Sequence, residues 1–90
     1  MSEKIKNLNR EFSHVEIEMI ENFAEKEGFV NILTLPFKNR VKLIRGNNNI
    51  SFRLKIKEEG IREIEVTQTF KEINFASNPS ELNTIINKLK

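Results

Sequence analysis

RVKLIRGNNNISFRLKIKEEGIREIEV, residues 40–66, decides the fold. Within it Ile50, Phe52, Leu54 and Ile56 alternate strictly with Ser51, Arg53, Lys55 and Lys57, the period of a strand with one face buried. RVKLIR (40–45) and IREIEV (61–66) alternate in the same way on either side. GNNN (46–49) is expected to make the first turn, because Gly and Asn tolerate positive φ. The second turn is expected to be a three-residue loop, Glu58-Glu59-Gly60, with Gly60 in the left-handed region.

That loop sets a register. Leu54 falls opposite Ile64 and Phe52 opposite Val66 on the core face, while Lys55 meets Glu63 and Arg53 meets Glu65 on the other. A two-residue loop would place Ile56 opposite Glu63 and mix the faces. In the first hairpin the four-residue turn pairs Leu43 with Phe52 and Val41 with Leu54. Arg40 and Lys42 then lie on the outer face beside Lys55 and Arg53, with Arg45 at the turn end of the core face. Ile44 and Ile61 are also expected on the outer face.

Outward from the meander, Ser13 and Glu16 have capping-box spacing and predict a helix over 14–27, closed by Gly28. Phe12, Val15, Met19, Ile20, Phe23 and Ala24 are expected on its apolar face, with Glu18, Glu21 and Glu25 opposite. FVNILTLPF (29–37) is rich in strand formers and ends at Pro36; Val30 with Ile32, or Leu33 with Leu35, has a claim to point inward. At the far end Asn78, Pro79 and Glu81 supply an N-cap, a first-turn proline and a first-turn acid. Leu82, Ile85, Ile86 and Leu89 then repeat at helical spacing. Between Phe70 and Asn78, Ile73 and Phe75 fit either a bulge or a packed loop. The expectation is an α+β domain over 13–90 behind a flexible tail at 1–12. Its order is α-(β)-β-β-β-α: a three- to four-stranded antiparallel meander with both helices on one face.

Composition narrows function. All 13 acids are Glu; there is no Asp, no Cys, no Trp, no Tyr, and one histidine, His14. Without those groups a thiolate zinc site or disulfide framework is excluded and catalytic constellations are scarce. No glycine-rich phosphate loop is present. Met1 to Arg10 is polar and no run nears the roughly 18 apolar residues of a membrane span. The expectation is a cytoplasmic, non-enzymatic module without metal, cofactor or membrane partner.

Charge is unevenly placed. Net charge is only +2, yet residues 38–57 hold Lys38, Arg40, Lys42, Arg45, Arg53, Lys55 and Lys57 and no acid. Cations projecting from adjacent strands can follow a phosphate backbone. Arg40, Lys42, Arg45, Arg53, Lys55 and Lys57 are therefore expected to contact nucleic acid, through backbone rather than bases, because no aromatic is expected on the outer face. The alternative is a protein-interaction, inhibitory or regulatory module, including a homodimer. It would use the bare sheet face (Ile44, Ile61), an open strand edge, or the acidic helix (Glu18, Glu21, Glu25).

Helix, three antiparallel strands, helix is also the order of the double-stranded RNA-binding domain. That family opens its second helix with lysines, whereas this turn reads Asn78-Pro79-Ser80-Glu81-Leu82. RVKLIRGNNNISFRLKIK followed by a third strand and a helix is similar in pattern to the small Alu-RNA-binding subunits of the signal recognition particle. That resemblance implies RNA bound on a sheet face; it is one of element order, with no diagnostic motif.

Overall fold

A computed structural model describes residues 11–34, 38–69 and 73–89. Helix α1 spans His14–Glu27, followed by strands β1 (Val30–Leu33), β2 (Arg40–Arg45) and β3 (Asn48–Ile56), a 3₁₀ turn at Glu58–Gly60, strands β4 (Arg62–Gln68) and β5 (Ile73–Ala76), and helix α2 (Pro79–Ile86). The sheet is an antiparallel meander in sequence order, β1-β2-β3-β4-β5. It has five strands, not three to four. Residues 29–37 yield a true edge strand, and Ile73 and Phe75 belong to a strand at the opposite edge.

The caps form as their chemistry requires. The Ser13 hydroxyl accepts from the Glu16 amide at 3.1 Å, and the Glu16 carboxylate accepts from the Ser13 amide at 2.8 Å. Gly28 closes the helix at φ +75°, where a Cβ would be strained. At α2 the Asn78 side chain accepts from the Glu81 amide at 2.9 Å and Pro79 opens the first turn.

The second hairpin has the expected register, including Leu54 opposite Ile64 and Arg53 opposite Glu65. Gly60 has φ +76°, and the Lys57 amide donates to the Ile61 carbonyl at 2.7 Å. The first hairpin is tighter than expected. Gly46 and Asn47 alone make the turn, with Gly46 at φ +59°, the sign that two-residue hairpin turns need at their first position. Asn48 and Asn49 join β3, so Val41 pairs with Phe52 and Leu43 with Ile50. The shift is two residues, which keeps every side chain on its expected face but changes which cations meet.

Both helices cover one face of the sheet. Val41, Leu43, Ile50, Phe52, Ile64 and Val66 are buried beneath Ile20, Phe23, Leu82 and Ile86 in one continuous core. Burying each side chain of this size contributes about 1.5–3 kcal/mol. Phe12 joins that core and its amide donates to the Lys38 carbonyl at 2.6 Å, so the tail expected over 1–12 does not reach it. Residues 1–10, Leu35, Pro36 and Phe70 lie outside the described residues.

The buried face of α1 is rotated from the expected one. Val15 is exposed, while Glu16 is fully buried in line with Ile20, Phe23 and Ala24. The reason is ionic. Arg62 sits on the core face of β4 and donates to both Glu16 oxygens, at 2.7 and 3.2 Å, and to the Glu11 carbonyl at 3.3 Å. Burial alone would raise the Glu16 pKa. Hydrogen bonds from Arg62 and the Ser13 amide, with the Arg62 charge, outweigh it and hold the carboxylate below its usual value.

A candidate polyanion-binding sheet face

With both helices on one side, no described helix covers the outer face. Its directly opposed residues form transverse rows across the strands. One row runs Ile32, Lys42, Ser51, Thr67, Ile73; the next runs Arg40, Arg53, Glu65, Phe75. Neighbours within a row stand about 4.8 Å apart and successive rows about 6.7 Å apart.

The acids on this face do not neutralise the cations directly opposite them. Lys55 Nζ meets Glu65 Oε2 at 3.0 Å and Lys57 Nζ meets Glu63 Oε2 at 2.9 Å, both one step diagonal to the expected pairs. Diagonal neighbours lie within reach of side chains as long as lysine. The consequence falls on Arg53, whose facing acid is already engaged. Arg40, Lys42 and Arg53 are left without an ion pair to any described residue. Arg40 and Arg53 face each other directly, a like-charge pair that costs stability. With the four-residue turn expected from the sequence, Lys42 would have opposed Arg53; the shorter turn puts Arg40 opposite Arg53 and Lys42 opposite Ser51. Lys38, exposed, lies two residues before Arg40.

The remaining expected sites lie elsewhere. Arg45 is on the core side of β2, folded over the end of α1. Its guanidinium carbon stands 4.4 Å from the centre of the Phe29 ring, which stacks on Phe23, and its Nη1 donates to the Glu27 carbonyl at 2.6 Å. A cation there meets the negative end of the helix dipole. The structure separates Arg45 from the outer-face cations. Ile44 lies half-buried on the outer face between Val30 and Asn49, and Ile61 is exposed just before β4. Glu18, Glu21 and Glu25 are exposed on α1, away from the sheet. Of the five glutamates in α1, Glu16 is absorbed by Arg62 and Glu27 lies 3.9 Å from Arg45, which thins the acidic helix. His14 is exposed, 3.7 Å from Glu18.

Three features of this face escape the sequence pattern. Phe75 and Ile73 project from β5 onto it, each 52% exposed, so it carries the aromatic that alternation had not placed there. Val30 and Ile32 project from β1 at the opposite edge. Asn49 Oδ1 is buried and has no hydrogen-bond partner among the described residues. The signal for Phe75 was present: Ile73-Asn74-Phe75-Ala76 alternates, but with its larger side chains outward, the reverse of the usual burial rule.

Among the described residues no group of His, Cys, Asp and Glu is arranged to hold a metal, and no helix is long and apolar enough to cross a membrane. With five strands between its helices among the described residues, the chain departs from the helix, three strands, helix order expected from the sequence. No protein-family model, no curated protein and no solved structure matches the chain.

Proposed function

We propose that the outer sheet face binds the phosphate backbone of a nucleic acid, with Arg40, Lys42 and Arg53 as contacts and Lys38 flanking them. One observation carries this reading: three cations stand together without an ion pair to any described residue, two of them directly opposed. A repulsion of that kind is relieved by an anion between the guanidinium groups, and a phosphodiester fits both forks. The same excess disfavours face-to-face pairing with a second copy, which would bring like charges together. Lys55 and Lys57 are held by Glu65 and Glu63 and are not counted as contacts. Neither is Arg45, which is engaged at the end of α1.

The test is fluorescence anisotropy with labelled DNA and RNA at two salt concentrations. Three phosphate contacts predict affinity roughly 20- to 40-fold weaker at about 200 mM than at about 50 mM salt. The double change Arg40→Glu with Lys42→Glu abolishes binding under both conditions if the reading is right. Absence of wild-type binding even at the lower salt overturns it.

A second reading rests on the other edge. Val30 and Ile32, 62% and 48% exposed, make with Ile44 an apolar strip on an open edge strand, the kind of surface that takes a protein partner. Loss of partner binding on Ile44→Glu, with the Arg40/Lys42 change silent, is the result that selects it.

A further inference from the structure

Phe75 lies in the same transverse row as the opposed arginines. Arg40 faces Arg53, Arg53 faces Glu65, and Glu65 faces Phe75. At the usual spacing between strands the ring stands about 10 Å from Arg53 and about 14 Å from Arg40 along the sheet. The intervening Glu65 does not screen one from the other, since its charge is met by Lys55 at 3.0 Å. Ile73, two residues before Phe75, extends the apolar surface along the strand.

We infer that the nucleic acid taken by this face is single-stranded, with a base stacked on Phe75 against Ile73 while neighbouring phosphates lie on Arg53 and Arg40. The inference rests on the backbone-binding reading above and names its ligand class. Two half-exposed large apolar side chains at a sheet edge are a liability that folding does not require, because the core closes without them. A duplex would leave them uncovered: its bases are stacked inside and it offers this face phosphates and groove edges alone. A single strand offers the flat face of a base and a phosphate one or two nucleotides away, which matches a row that carries a ring at one end and guanidinium groups at the other. Phenylalanine has no polar group to read a base edge, so recognition is tolerant of sequence.

The experiment compares labelled single strands of about 12 nucleotides, dT and U, with a duplex of the same length, because comparable single-strand sites span about 4–16 nucleotides. Wild-type protein binds the single strands more tightly than the duplex. Phe75→Ala weakens single-strand binding by about 5- to 150-fold and leaves duplex binding unchanged, while Phe75→Tyr retains single-strand affinity. Thermal melts confirm that each variant folds, as expected for a side chain half in water. Single-strand binding that Phe75→Ala does not change overturns this inference and leaves the backbone reading standing. Duplex binding as tight as single-strand binding does the same. No binding to any oligonucleotide, with a dimer in sedimentation that Phe75→Ala dissociates, overturns both and gives the face to a second copy of the chain.

Discussion

Arg62 and Arg53 sit on neighbouring strands of one sheet, on opposite faces, and their surroundings could hardly differ more. Arg62 points into the core and is met by a fully buried carboxylate, by that carboxylate's second oxygen and by a backbone carbonyl. Arg53 points outward, faces Arg40, and finds its facing acid already held by Lys55. The first charge belongs to the fold: it ties the start of α1 to β4 through a two-oxygen contact with Glu16. The second makes no ion pair with any described residue and faces a like charge, a mildly unfavourable arrangement. That contrast is what the proposed phosphate contact accounts for.

This contrast can be broken or sharpened by measurement. The largest stability effect belongs to the core face. Glu16→Gln keeps the shape of the capping box but removes the charge facing Arg62, and is expected to cost about 2 kcal/mol in denaturant unfolding. The same pair sets an acid limit. Because the folded-state pKa of Glu16 lies below its unfolded value of about 4.3, the unfolded chain binds the proton more readily. Its contribution is complete above that value and is lost as pH falls through the lower, folded one. Wild-type Tm should therefore drop on acidification in that range, and the Glu16→Gln variant should drop less. Equal slopes would mean that the pair is not what fastens α1.

Arg40→Glu tests the opposite face with the opposite sign. It replaces an opposed like-charge pair by an attractive one and is expected to raise stability by about 0.5 kcal/mol, while removing one of the proposed phosphate contacts. A fall in Tm would show that Arg40 is structural after all. The smallest effect belongs to the diagonal pairs: Lys57→Ala should stay within about 0.5 kcal/mol of wild type, since its ammonium is largely in water. A larger loss would make the outer-face ladder a structural device and weaken the distinction between its two halves.

Much of the fold was legible because its determinants are local. Capping at Ser13, Gly28 and Asn78 and the three-residue turn at Gly60 depend on side chains a few residues apart. So does the alternation of β3. The first hairpin is two residues tighter than its sequence suggests, because GNNN is compatible with turns of more than one length and only the pairing of β2 with β3 chooses. β5 was missed as a strand because its alternation is inverted, with Asn74 and Ala76 inward and Ile73 and Phe75 outward. Ala76 is buried, where α2 packs against β5. The inward turn of Glu16 was hidden for a similar reason, since its partner Arg62 lies 46 residues away.

The candidate site divides along the same line. Alternation and strand parity alone placed Arg40, Lys42, Arg53, Lys55 and Lys57 on one face, because side-chain direction in a strand repeats every two residues whatever the sheet does. Which of those charges stay unneutralised was decided only in three dimensions. It turns on a two-residue change of register and on which diagonal a lysine can span, and both are distances between strands rather than along one. The placement of Phe75 beside the arginines is likewise tertiary: residues 40, 53, 65 and 75 come into one row only when four strands pair.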